Sequence, residues 1–248
     1  MNKTKIKNFA IWAREKLIAD ITYKAALLGI NEDGIAEELP QSTDDLKFYD
    51  IGTKDFAEIS GIKIKQRAAL LNAIRDKEKD CGKYKDAFDF VVEETAYTWF
   101  NRLIAIRFME VNDYLPSGIR VLSSENKAKA EPDFVTSPFD TDLEFTPYEQ
   151  DRVVQMKEEN RLDELFRLLF IRQCNKLHAI LPKLFEETDD YTELLLSVSF
   201  TDRDGIIYHL VHDIDEDDFD VEKEGQVEII GWMYQYYISA KHDQIINI

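Results

Sequence analysis

The sequence predicts an all-α fold, an irregular multi-helix bundle with one long proline-containing connector and at most a short strand pair. Three observations carry this. Apolar residues recur at steps of three and four in several separate stretches, the spacing of one helix face. No alternation of strands and helices of the kind that builds a parallel sheet is visible in the pattern. A chain of 248 residues with 44% hydrophobic and 12% aromatic content also has ample material for a packed core.

In chain order, Lys5 to Leu28 reads as an amphipathic helix. Ile6, Phe9, Ala13, Leu17, Ile21, Ala25 and Leu28 mark its apolar side, and Gly29 is its stop. Asn31 to Thr53, punctuated by Gly34, Pro40 and Gly52, reads as loop and short turns. Thr53 to Lys79 reads as a second helical stretch broken near Gly61, with Ile62, Leu70, Leu71 and Ile74 on its apolar side. Phe88 to Asn112 is a helix ended by Asn112, Asp113 and Pro116. Residues 117–148 hold Gly118, Pro132, Pro138 and Pro147 among acids and form the connector, with room for one short strand at Ile119 to Leu122. Glu149 to Lys183 is helical again, Asp189 to Val198 and Asp202 to His212 are short helices, and Gly225 to Ile246 closes the chain. In that last helix Val227, Ile230, Tyr234, Tyr237 and Ile238 share a side. The resulting organisation is a helical subdomain over 1–116, the connector 117–148 and a second helical subdomain over 149–248, or one continuous domain. No internal repeat or low-complexity tract is present.

The segment Thr95 to Pro116, TAYTWFNRLIAIRFMEVNDYLP, has too many apolar residues for one stripe and predicts a helix buried on most of its circumference. Arg102, Arg107 and Glu110 lie inside it, and buried charge is costly unless paired and hydrogen-bonded. Arg107 and Glu110 are three apart and fit one helical face, so a structural ion pair is the reading that the spacing favours. An arginine held for an anionic ligand is the other.

A net charge of −18 opposes nucleic-acid binding, yet its distribution is uneven. Residues 1–30 carry six basic and two acidic side chains, and residues 61–85 carry eight basic and three acidic ones. Lys3, Lys5, Lys7, Lys63, Lys65 and Arg67 are therefore the candidates for contact with duplex DNA, against the alternative of ordinary solvated helix faces. The chain turns acidic beyond residue 130. Asp213, Asp215, Asp217 and Glu224 fill four positions of a calcium loop, but Asp218 stands where the turn needs glycine, and a solvated acidic loop is favoured. His209 and His212 lack a third metal ligand at proper spacing, and His178 sits among apolar residues. No metal site is expected. Cys81 and Cys174 are isolated, no Gly-x-Ser-x-Gly elbow exists, and no catalytic residue is assigned. The apolar runs are too short or too charged for a membrane span or secretory signal, so a cytoplasmic protein without membrane contact is expected. Trp232, Tyr234, Tyr236 and Tyr237 cover more than one face of the last helix. Trp232 and Tyr236 are the interface candidates.

Several segments carry a resemblance in one order along the chain. These are NFAIWAREKLIADITYKAALLGI (Asn8 to Ile30), TWFNRLIAIRFMEVNDYLP with IRVLSS (Ile119 to Ser124), and VEIIGWMYQYYISAKHD (Val227 to Asp243). They resemble the N-terminal region of PglX-type proteins, the large adenine-specific DNA methyltransferases of BREX phage-defence systems. The resemblance implies a parent that transfers a methyl group from S-adenosylmethionine to adenine N6. It also implies a chain that docks on the missing methyltransferase domain or on other BREX components. The residues themselves lack the chemistry. Such an enzyme needs a glycine-rich turn at S-adenosylmethionine and a polar-Pro-Pro-aromatic loop for the extruded adenine. Among nine glycines no two are separated by a single residue, and the six prolines are never adjacent. The nearest approach is Thr136 to Phe139, TSPF, with one proline. The chain alone is expected to bind no cofactor and to be inactive, serving as a scaffold, a DNA-holding arm or a docking region. A stand-alone acidic adaptor for a basic protein is the alternative. The final residues, Gln244 to Ile248, contain no helix stop, which fits a cut through a longer protein.

Overall fold

The computed structural model describes residues 2–54, 56–185, 190–223, 225 and 227–246, with side chains left aside at 190 and 241–246. In order, the elements are α1 (Lys3–Ala26), β1 (Ile30–Asn31), β2 (Gly34–Ile35), β3 (Leu46–Asp50), β4 (Phe56–Ser60), α2 (Ile62–Cys81) and α3 (Tyr84–Val111). There follow α4 (Asp133–Thr136), a 3-10 turn at Pro138–Asp140, α5 (Pro147–Glu158), α6 (Leu162–His178), α7 (Asp190–Leu194), α8 (Ile206–His212), α9 (Glu216–Phe219) and α10 (Glu228–Ile246). The protein is mostly helical, with two short antiparallel pairs, β1 with β2 and β3 with β4.

Two compact units divide the chain, one of Met1–Lys16, Phe100–Glu187 and Val198–Ile248, the other of Leu17–Trp99 and Thr188–Ser197. The sequence division at 116 and 148 follows composition, whereas these units follow contacts. Helices α1 and α3 each give one part to each unit.

In the second unit, Leu17, Ile21, Ala25 and Leu28 are buried with Leu70 and Ile74 of α2 and Phe88, Val91 and Val92 of α3. Trp99 is fully buried and donates its indole N–H to the Thr192 carbonyl at 3.0 Å, which ties the α7 segment down. Phe56–Ser60, read above as helical, instead forms one strand of a hairpin. Phe56 to Ser60 alternates exposed and buried, with Ala57 and Ile59 inward, and pairs in register from Phe56 opposite Asp50 to Ser60 opposite Leu46. A period of two is a strand period, and it outweighs the helical reading over this segment. Gly29 closes α1 at φ 72°, a conformation that glycine adopts without penalty.

In the first unit, Ile6, Phe9, Ala10 and Ala13 of α1 are buried with Phe100, Leu103 and Ile104 of α3. Phe134 and Val135 of α4, and Leu165, Phe166, Leu169 and Phe170 of α6, complete the apolar interior with Met233 of α10. The single helix expected from Glu149 to Lys183 is two. Asn160 takes φ 54° between α5 and α6, a left-handed turn that asparagine tolerates better than most residues. Helix α5 starts at Pro147, behind a capping box in which Thr146 and Glu149 exchange hydrogen bonds. No strand forms at Ile119 to Leu122, because the backbone N–H groups of Val121 and Leu122 donate to the Glu110 carboxylate instead.

A Cβ added at Gly29 would stand 2.8 Å from the Ala36 Cβ and 3.3 Å from the Tyr49 Cβ, on a left-handed backbone. G29A is therefore expected to lower stability by about 1–3 kcal/mol, read as a reduced urea midpoint with unchanged slope.

Candidate functional site

The buried polar centre of the first unit grows from two turns of α3 and the loop after it. Arg107 and Glu110 have almost no exposed side-chain surface and stand 2.7 Å apart. One Glu110 oxygen accepts from the N–H groups of Val121 and Leu122 at 2.8 and 2.7 Å. The other accepts from Arg107 and from the Ser123 hydroxyl, at 2.7 and 2.9 Å. A carboxylate with four donors is well compensated for its lost hydration. Arg107 also donates to Ser123 and to Glu216 of α9, at 3.0 and 3.3 Å, and Arg120 reaches Glu216 at 2.8 Å. Partial burial disfavours the charged form of Glu216, but the hydrogen bond and charge of Arg120, with the charge of Arg107, outweigh it and hold the carboxyl below the usual range. Two carboxylates thus neutralise Arg107, and its terminal nitrogens face Glu110, Ser123 and Glu216. The arrangement is a clip that joins α3, the loop after it and α9.

The basic candidates fall on both units. Lys3, Lys5 and Lys7 are exposed on the first turns of α1 in the first unit, and Lys63 and Lys65 are exposed at the start of α2 in the second. Lys5 pairs with Asp215 at 3.3 Å, and the Lys3 ammonium lies 4.1 Å over the Trp232 ring. Arg67 is not on the surface. It is buried, its Nε donates to the Leu28 carbonyl at 2.8 Å, and its guanidinium stacks 3.6 Å over Tyr49. That is cation–π packing beneath the hairpin, and no single sequence signal separated it from its exposed lysine neighbours.

A groove of about 500 Å³ in the first unit is lined by Lys5, Asn8, Phe9 and Trp12 of α1 and by His209, His212 and Asp213. His209 Nδ1 lies 2.7 Å from the Asp213 carboxylate, and His212 donates Nδ1–H to the Tyr208 carbonyl at 2.8 Å. Among the described residues, no cluster of three or more His, Cys, Asp or Glu is arranged to hold a metal. The acidic run 213–223 contains α9, with Asp218 buried and accepting from the Asn2 N–H, and with Lys223 between Asp217 and Asp220. Glu224 lies outside the described residues. His178 contacts the Phe185 carbonyl, Cys174 is buried and Cys81 exposed. Trp232 and Tyr236 are half-buried on α10.

The segment around Arg107 and Glu110 and the segment Ile119 to Ser124 resembled one family from sequence, and they meet at a single carboxylate. Comparison with known proteins agrees. The chain is 45% identical over 98% of its length to the adenine-specific methyltransferase PglX of Lacticaseibacillus casei (strain Zhang). It is 36% identical over 100% of its length to the adenine-specific methyltransferase BrxX of Escherichia coli O9:H4 (strain HS). The chain is a PglX-type sequence. It spans only 20% and 19% of the length of these two relatives, in keeping with the N-terminal region of the PglX type. No family model matches it. Among the described residues no helix is long and apolar enough to cross a membrane.

Replacing Glu110 leaves the Val121 and Leu122 N–H groups and the Ser123 hydroxyl without their acceptor, whereas replacing Arg107 leaves the carboxylate with three donors. E110L is therefore expected to cost about 3–5 kcal/mol and R107M less, measured by urea denaturation. Equal losses would contradict the clip. For Glu216 the folded carboxyl titrates below its unfolded value, so its stabilisation is complete above about pH 4.5 and is lost as pH falls through the folded pKa. The stability difference between the wild type and E216Q is expected to shrink on acidification below that point.

Proposed function

We propose that this chain is the non-catalytic helical part of a PglX-like adenine-N6 DNA methyltransferase of a BREX phage-defence system, working in the cytoplasm as a scaffold. The observation that carries this reading is a match over essentially the whole chain to one-fifth of the length of such methyltransferases. The same residues contain neither a Gly-x-Gly turn nor adjacent prolines. Methyl transfer to an adenine inside a duplex needs a cofactor cradle and a pocket for the extruded base. In this reading both belong to the remaining polypeptide, and S-adenosylmethionine is held there.

The scaffold holds the methyltransferase part, another BREX component or DNA. Exposed lysines at the starts of α1 and α2 support the DNA-holding form, since phosphate neutralisation is the main source of non-specific affinity. A net charge of −18 supports a second reading, in which the acidic surface meets a basic protein and releases it as salt rises.

Titration of S-adenosylmethionine into the purified chain is expected to give no binding heat, and incubation with DNA no N6-methyladenine. Turnover by the chain would sink the non-catalytic reading. Fluorescence anisotropy on duplex DNA across a salt series separates the forms. Micromolar binding with a steep salt slope assigns the DNA-holding arm, and no binding at low salt assigns protein docking.

A further inference from the structure

Helix α10 carries more apolar surface than its unit covers. From Ile229 to Ala240, IIGWMYQYYISA, it has no charged residue, in a chain that is 32% charged. The unit buries one narrow stripe of it, Ile229, Met233 and Tyr237, each four residues from the next, with the Tyr237 ring 4.6 Å from that of Phe100. At ~3.6 residues per turn, Glu228, Gly231, Gln235, Ile238 and Ser239 lie on the outward arc, with Val227 just before the helix. Val227 is 62% and Ile238 41% exposed. Trp232 and Tyr236, half-buried, flank that arc on one side, and Ile230 and Tyr234, also half-buried, flank it on the other.

A helix face left in water ordinarily carries charge. Beyond Glu228 in its first turn, this one carries no charge as far as Ala240, and its exposed Val227 and Ile238 are bordered by the half-buried Ile230, Trp232, Tyr234 and Tyr236, residue types found in interface cores. A Cβ at Gly231 would meet nothing within 4 Å, so another backbone has room to approach α10 closely there.

We infer that the outward side of α10, centred on Val227, Gly231 and Ile238 and flanked by Trp232 and Tyr234, is the docking surface for the rest of a PglX-type polypeptide. This rests on the scaffold reading above and names the surface it uses. The relatives carry this sequence as 20% and 19% of their length, so about four-fifths of each lies outside the match. Covalent linkage supplies that remainder at high effective concentration. A second copy of this chain is the weaker occupant, because each copy carries a net charge of −18 and the two repel.

The test is site-resolved maleimide labelling of V227C and I238C, each combined with C81S, in this chain alone. The matching positions are labelled in the full-length L. casei PglX, with peptide mass as the readout. Both sites are exposed, so these substitutions leave the buried stripe intact. Labelling at both is expected to be at least tenfold slower in the full-length protein than in the chain alone. Equal rates in the two proteins would overturn the assignment. Labelling that slows as the isolated chain is concentrated would overturn it too, by naming a second copy as the occupant. Methylation by the isolated chain would remove the scaffold reading without changing these rates, so the two failures are distinguishable.

Discussion

One buried carboxylate sets much of the first unit. Glu110 is lodged in an apolar helix, where an uncompensated charge would be strongly destabilising. It is compensated from two directions, by Arg107 one helical turn away and by the backbone and side chain of the loop that follows. Because two of its four donors are backbone N–H groups, Glu110 fixes the path of Val121 and Leu122 and places both in the core. The same arginine reaches Glu216, so α9 is drawn to the same centre. A loop, a long helix and a one-turn helix are thereby held through one ionic network. In such a network a buried polar group that is removed leaves its partner unsatisfied, at a cost that depends on how many other partners remain.

Charge elsewhere is handled differently. Lysines at the starts of α1 and α2 remain at the surface, where ion pairs such as Lys5 with Asp215 contribute little net stability. Arg67, only two residues beyond Lys65, is withdrawn beneath the β3–β4 hairpin, where Tyr49 and the Leu28 carbonyl receive it. Burial lowers its pKa from the ordinary arginine value, the tyrosine opposing this in part. A basic segment counted from sequence therefore overstates the positive charge available to a phosphate backbone.

The family relationship and the proposal of a non-catalytic chain rest on separate observations. Similarity assigns the chain to the PglX type over a fifth of the relatives' length. The proposal also draws on the residues themselves, which hold neither a Gly-x-Gly turn nor adjacent prolines. The glycines here serve instead as helix stops and turns, as Gly29 and Gly82 do with positive φ.

Local pattern by itself determined a good deal. The seven apolar positions spaced from Ile6 to Leu28 are all buried, and the three-residue spacing of Arg107 and Glu110 places them in contact. The resemblance to the PglX type was also legible, because it depends on residues near each other in the chain. Phe56 to Ser60 was read as helical, because short apolar runs between glycines fit helix and strand alike. Tertiary structure alone decided the rest. It turned Val121 and Leu122 from a strand into donors for Glu110, sent Arg67 inward, and chose Ile229, Met233 and Tyr237 as the buried stripe of α10, leaving Val227 and Ile238 outside. An apolar helix offers several faces of similar hydrophobicity, and a polar group several partners. Which one is used depends on what residues far away in sequence bring against it.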